Sequence, residues 1–481
     1  MTLRFTGALG VVTALVLAGS LLVRMERPPN AALAAPASPI KHVVVIVQEN
    51  RTPDNLFYGL CAYTRRCAFS PFSPAQPARY DIRTTRWPQK GGPAVEPVAG
   101  PLVTSFDLNH AHAGFVNECD RGPSGCRMDG AQKRGYGYVR SSDVQPYLEL
   151  AAGFGWANAM FQSNQGPSYP AHQYLFGATS APSAADDAAG IFVAENLNNT
   201  GVGGLRAIAG CGAPKSTRVR LIKPSGAENT LVYPCFEHQA LPDVLGASVT
   251  WRYYAPKPGM IWTAPNSIRH FCNPTATTLT IQECSGPEWT EHLDFRPAGV
   301  LSDVAACDLR AVSWVIPSAA NSDHANVNNG NGPSWVASIV NAIGTADRCD
   351  GGEGYWKDTA IVLTWDDWGG WYDHVPPPVR AMPQGDYEVG FRVPLIIISA
   401  YTPKGYINNG VHDFGSIARL IEHTFGTTEG ALGFDDRRAT TDLSGFFNFR
   451  SAPRAFAKIA APKSAAAFVH DTRPPGDPDD D

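Results

Sequence analysis

His42-Val43-Val44-Val45-Ile46-Val47-Gln48 and Thr359-Ala360-Ile361-Val362-Leu363-Thr364-Trp365 are the two stretches on which the fold turns. Each is a nearly continuous, β-branched apolar run, the composition of a strand buried on both faces of a parallel sheet. Each also stops abruptly at oxygen ligands. Glu49-Asn50-Arg51 follows the first; Asp366-Asp367, Gly369-Gly370 and Asp373-His374 follow the second. In open α/β sheets the ligand site lies just beyond the carboxyl ends of such strands. If the two strands are neighbours, the carboxylates of Glu49, Asp366 and Asp367 and the amide of Asn50 converge, and like charges so close call for a cation. Adjacent Asp366 and Asp367 would point to opposite faces of a strand, so a tight turn at Gly369-Gly370 is needed for both to reach one ion. Oxygen donors suit calcium, magnesium or manganese, and zinc also accepts carboxylates. One divalent metal ion is therefore expected.

Outward from these runs, further strands are expected over residues 249–254, 311–316 and 394–399, and helices over 334–343 and 414–424. Phe414, Ile417, Leu420 and Ile421 share one face of the second helix. Strands alternating with helices predict an α/β protein, an α/β/α sandwich with a mostly parallel central sheet. The rhythm breaks after residue 181, so a loop or insertion region is expected around 181–310 within a catalytic domain spanning 40–470. Residues 471–481, rich in Pro and Asp, are expected to be disordered.

The first residues resemble an export signal. One positive charge in Met1–Arg4 precedes an uncharged run over 7–23, and Ala32-Leu33-Ala34 offers a small-x-small cleavage site. A signal peptide over 1–34, followed by a linker at 35–39, is one reading; an uncleaved anchor is the other. Both put the body outside the cytoplasm, secreted or periplasmic. The ten cysteines fall into close sequential pairs, Cys61/Cys67, Cys119/Cys126, Cys211/Cys235, Cys272/Cys284 and Cys307/Cys349. In an oxidising compartment these are expected as local disulfides. With 44% hydrophobic and 17% charged residues the chain can bury a large core. A net charge of −5 and the lack of a basic stripe argue against a nucleic-acid partner. The nucleotide-binding GxxxxGK[ST] and GxGxxG patterns and the GxSxG of serine hydrolases are missing from the sequence.

Val45-Ile46-Val47-Gln48-Glu49-Asn50-Arg51-Thr52-Pro53-Asp54-Asn55-Leu56-Phe57-Tyr58-Gly59 resembles the opening motif of the bacterial and plant phosphoesterases, which include non-specific phospholipases C and metal-dependent acid phosphatases. The run from Thr364 through Asp366-Asp367-Trp368-Gly369-Gly370 and Asp373-His374 to Pro377 resembles their central motif. Gly390–Pro394 with Ile396–Ser399, and His412–Gly426, resemble a third and a fourth block. The resemblance spans roughly Ile40 to Phe449. It implies an alkaline phosphatase-like fold and a metal-bound hydroxyl nucleophile, Ser168 in Gly166-Pro167-Ser168-Tyr169-Pro170. A serine hydroxyl is a weak nucleophile at neutral pH, and coordination to a divalent cation lowers its pKa. Taken alone, Ser168 would read as a turn serine.

The resemblance further implies catalytic histidines. His110 in Asp107-Leu108-Asn109-His110 is the first, with Asn109 where the family pattern has proline and His112 as an alternative. His324 is the second and His270 a weaker third; His374 is expected to support Asp366 or Asp367. The implied substrate is a phosphate ester, either a monoester or a phospholipid, the latter with peripheral membrane contact. Trp365, Trp368, Trp371, Tyr372 and Tyr169 then either wall a lipid or choline pocket or are ordinary packing. The chain ends soon after the fourth block, without the C-terminal β-rich region that bacterial family phospholipases often carry, which favours a compact phosphatase. The alternative is a catalytically degenerate secreted protein of the same fold that binds metal or phosphate.

Overall fold

A computed structural model of the chain describes residues 38–69, 76–122, 125–197, 208–276, 282–382 and 385–476. The apolar N-terminal segment, residues 1–34, lies outside the described residues. The main sheet contains β1 (His42–Gln48), β2 (Gly155–Met160), β3 (Trp251–Tyr254), β4 (Leu293–Asp294), β5 (Val312–Val315), β6 (Thr359–Trp365), β7 (Leu395–Ser399) and β8 (Tyr406–His412). Their spatial order is β4-β3-β5-β1-β6-β7-β2-β8. All run parallel except β7, which is antiparallel to both its neighbours. The two apolar runs pair directly, in register from His42 with Thr359 to Gln48 with Trp365. Every residue of β6, and Val43 to Gln48 of β1, is buried.

Helices cover both faces. Trp314 lies beside Val45 and donates from its indole N–H to the Leu175 carbonyl (3.0 Å) of α2 (Ser168–Gly177). Trp365 lies beside Gln48 and meets the Tyr147 ring, centroids 5.2 Å apart, in α1 (Gln145–Gly153). Val45 and Gln48 are an odd number of residues apart along one strand, so their faces are opposite. Helix α3 (Gly332–Gly344) packs on α1, and α4 (Phe414–Thr424) on α2. The result is the α/β/α sandwich that the alternating pattern predicts. Asp413 and Ser416 form a reciprocal capping box that starts α4.

Two expectations need correction. Residues 181–310 are not a single excursion, because β3 and β4 within them form an edge of the main sheet. The excursion proper includes a separate small sheet of Phe192–Val193, Val219–Ile222 and Thr230–Val232. Residues 471–476, expected to be disordered, lie against the body, where Pro475 accepts a hydrogen bond from the Ala319 N–H (3.1 Å). The last residues, 477–481, lie outside the described ones. All five sequential cysteine pairs are bonded. Among the described residues, no helix is long and apolar enough to cross a membrane.

Candidate metal centre

The β1–β6 ladder continues one step past the strands, where the Asp366 N–H donates to the Gln48 carbonyl (3.0 Å). Glu49 and Asp366 therefore stand side by side on the face opposite Gln48 and Trp365, the face covered by α2. The chain then turns sharply. Asn50 adopts a left-handed conformation (φ 64°), which asparagine tolerates better than most residues, and its N–H donates to Asp366 Oδ1 (3.2 Å). Gly369 is also left-handed (φ 61°), and a Cβ there would sit 2.4 Å from the Asn50 carbonyl oxygen. No other residue fits. The Gly369 N–H donates to Asp367 Oδ1 (2.7 Å), which fixes that carboxylate with its second oxygen towards α2.

Ser168 is the first residue of α2, and its hydroxyl donates towards Asp367 Oδ2 (3.2 Å) and Glu49 Oε2 (3.3 Å). One helical turn on, His172 places Nε2 3.0 Å from Glu49 Oε1 and 3.7 Å from Asp366 Oδ2. The sequence reading passes over His172. Its signal is the i, i+4 spacing from Ser168, hidden because Pro167 and Pro170 look like a turn. Proline is tolerated in the first turn of a helix, and the helix forms through it.

Asn50 links this half of the site to two histidines. His110 Nδ1 lies 2.7 Å from the Leu108 carbonyl and His324 Nδ1 2.7 Å from the Ala325 carbonyl. A carbonyl only accepts, so each Nδ1 carries a proton and each Nε2 of a neutral ring is an acceptor. The Asn50 amide nitrogen, 3.0 Å from His110 Nε2, is then the donor. Its oxygen is left 3.0 Å from Asp366 Oδ1 and 3.2 Å from Glu49 Oε2. Turning the amide over would place its oxygen 3.0 Å from both Nε2 atoms, which requires both rings to be charged. With neutral rings, three side-chain oxygens meet with no amide or imidazole hydrogen between them, so either a carboxyl proton or a cation must hold them together.

The electrostatics agree. Burial first, and Asp366 second, hold the Glu49 carboxyl well above its usual range; the same two causes raise Asp367. Burial lowers His172 to about 4, so its ring is neutral and free to act as a ligand. Asp366 Oδ2 and His172 Nδ1 are buried with no hydrogen-bond partner among the described residues. Oxygens of Glu49 and Asp366 and a nitrogen of His172 all lie within 4.8 Å of one another. This donor set fits a divalent cation.

Residues 40–428 match the Phosphoesterase family. The chain belongs to that family. It is 23% identical to the hemolytic phospholipase C of Pseudomonas aeruginosa, over 86% of this chain and 56% of that protein. With the same organism's non-hemolytic phospholipase C it shares 24% over 87% of this chain and 60% of the other. The chain thus spans less than two-thirds of the length of these two relatives. Phospholipase C B of Mycobacterium tuberculosis is 23% identical, over 86% of this chain and 78% of that one. Solved structures overlap only loosely: that of Ps i-CgsB gives a TM-score of 0.37 at 9% identity, covering 84% of this chain and 75% of the other.

Two residues of this phosphoesterase, His270 and His374, lie away from the place the sequence reading gave them, and the structure resolves one choice it left open. His270 is on the surface between Glu237 (2.6 Å) and Asp243 (3.2 Å); despite the cost of burial, those hydrogen bonds raise it to about 9. It does not join the centre. Of the pair left open, His110 faces the site. His112 instead bonds Glu228 (2.6 Å) and Gln165 (3.2 Å). His374 supports neither Asp366 nor Asp367. It bridges Asp54 (2.7 Å) and Asp81 (3.1 Å), and Arg392, from the third motif block, binds Asp373 through two nitrogens (2.9 and 3.0 Å) and Asp54 (3.3 Å).

Proposed function

We propose that this phosphoesterase is an exported, metal-dependent hydrolase of phosphoric esters that works through Ser168 and a phosphoseryl intermediate. The observation that carries the reading is the Ser168 hydroxyl, buried at the N-terminus of α2 and within 3.2–3.3 Å of two carboxylates. One divalent cation would be held by Glu49, Asn50, Asp366, Asp367 and Ser168, with His172 as a nitrogen donor. When bound it supplies Lewis acidity and lowers the pKa of the serine hydroxyl.

In the first step Ser168 Oγ bonds to phosphorus, its proton passes to the carboxylate of Asp367, and the P–O bond to the alcohol breaks. The negative charge of the ester draws protons onto Nε2 of His110 and His324. These atoms then hydrogen-bond the non-bridging oxygens and protonate the departing alkoxide. In the second step water bonds to phosphorus and gives a proton back to the histidine Nε2, the bond to Ser168 Oγ breaks, and Asp367 returns its proton to the serine. The positive end of the α2 dipole favours the bound phosphate in both steps.

Export is supported by the five disulfides, which suit an oxidising compartment, and by the signal-like residues 1–34. The names of the relatives support a phospholipid or related diester as substrate. The test is an assay panel of p-nitrophenyl phosphate, p-nitrophenyl phosphorylcholine and phosphatidylcholine vesicles, run before and after chelator dialysis with add-back of single cations. Hydrolysis of at least one compound, lost on dialysis and restored by one cation, is expected. Silence on all three would favour the non-catalytic binder; turnover indifferent to chelation would remove the metal.

A further inference from the structure

A cavity of about 890 Å³ opens beside the histidine half of the centre, within the size range that holds a drug-sized ligand. Its lining is mainly apolar and includes Val98, Val103, Phe106, Val139 and Trp371. Phe106 lies just before the Asp107–His110 segment, and Trp371 just after the Gly369-Gly370 turn. Trp371 also packs with Leu108 and Ala325 in a small apolar cluster, with Phe106 against it. Those two residues supply the carbonyls that orient His110 and His324. The groove and the two histidines therefore share one wall.

Three features point to a ligand. Val98 and Val103 are 70% and 44% exposed at the mouth, an apolar rim of the kind that marks binding surfaces. Trp371 is only 4% exposed, yet its indole N–H has no acceptor among the described residues. Position adds the third. Ser168 touches Glu49 and Asp367, whereas His110 is reached through Asn50. In-line displacement at phosphorus puts the leaving group opposite the nucleophile, and the proposed function gives protonation of that group to His110 and His324.

We propose that this groove is a leaving-group subsite, which takes the hydrocarbon chain of a long-chain alcohol displaced from phosphorus while the Trp371 N–H donates to an oxygen of that alcohol portion. The proposal rests on the reading of Ser168 as nucleophile. It makes chain length the determinant of substrate preference and assigns that preference to Val98, Val103, Phe106 and Trp371.

The experiment compares butyl- and dodecyl-phosphocholine, both below their micellar concentrations, as substrates of the full chain and of a Val98→Asp/Val103→Asp variant. Both positions are exposed enough for the variant to fold, which its melting curve checks. The wild type is expected to favour the dodecyl ester in kcat/KM by about 100-fold or more, since each buried methylene adds to binding. In the variant that ratio should fall at least about tenfold. No chain preference in the wild type, or an unchanged ratio in the variant, overturns the subsite. If the wild type hydrolyses neither ester, the diester reading of the substrate fails, Ser168 is then judged on p-nitrophenyl phosphate, and calorimetric binding of dodecylphosphonate decides the groove separately. Weaker binding to the variant upholds it, and equal binding overturns it. A wild-type dimer that the substitutions dissolve, with the ratio unchanged, would show a second copy covering the groove and would also overturn it.

Discussion

Two buried acidic clusters are built from the same two motifs and end on opposite terms. Asp54, Asp81 and Asp373 are met by Arg392 and by His374, which Asp54 and Asp81 raise to about 9 against the cost of burial. Glu49, Asp366 and Asp367 have no lysine or arginine paired with them among the described residues; their side-chain neighbours include neutral His172, the Ser168 hydroxyl and the Asn50 amide. Both clusters carry the desolvation cost of burial, but only the first contains its own compensation. A chain that can place an arginine so accurately against one set of acids has left the other set open to a cation from solution. The comparison separates a clamp, which fixes the motif loops, from the candidate centre to which the proposed function assigns the chemistry.

The widest contrast should come from Ser168→Ala. It is expected to lower kcat by about 10⁴-fold or more with an unchanged melting curve; normal turnover would take the serine out of the mechanism. His374→Ala should act on the other cluster, costing about 3–5 kcal/mol by removing the cation that bridges buried Asp54 and Asp81, as read by urea unfolding. Because His374 is raised in the folded state, its contribution is complete below pH 6.5 and fades as pH rises through about 9. If His374→Ala spared stability and abolished metal affinity, the two clusters would have exchanged roles.

Glu49→Gln tests the sign of the difference. In metal-free protein the raised Glu49 carboxyl means the folded state holds a proton that the unfolded state releases above about pH 4.5. Stability should then fall with rising pH, by up to about 1.4 kcal/mol per pH unit for that proton. The glutamine variant should fall less steeply, with Asp367 still contributing, when both proteins are unfolded by urea between pH 5 and 7; matching slopes would contradict the crowding of charge at the centre. The smallest effect is expected at His270→Gln. His270 is 35% exposed and its partners Glu237 and Asp243 are 54% and 25% exposed, so solvent screening limits the loss to under about 1 kcal/mol. The loss should be present below pH 6.5 and gone above about pH 9, with phosphoesterase activity intact.

Much of this was legible in the chain. Strands β1, β3, β5, β6 and β7 and helices α3 and α4 follow from β-branched runs and helical spacing, since burial on both sides leaves no room for polar residues. Strands β2 and β8 escape notice. Gly155-Trp156-Ala157-Asn158-Ala159-Met160 and Tyr406-Ile407-Asn408-Asn409-Gly410-Val411-His412 carry asparagines and glycines because Asn158 bonds Arg79 and Asn409, and β8 is an irregular edge. At the centre, Glu49, Asn50, Ser168, Asp366, Asp367, His110 and His324 come together in space. His172 was hidden by the prolines around it. His270 and His374 were misplaced because the sequence around a histidine does not tell whether it serves a surface pair, a buried clamp or a reaction.

The pairing of β1 with β6 has a kinetic consequence. Asn50 and Asp366 touch across a sequence separation of 316 residues, and neither half of the centre exists as local structure. Closing so long a loop is entropically slow, so the ligands come together only once the sheet is nearly complete. A cation bound there cannot template the early chain. It would instead hold two central strands shut, slowing unfolding much more than it speeds folding.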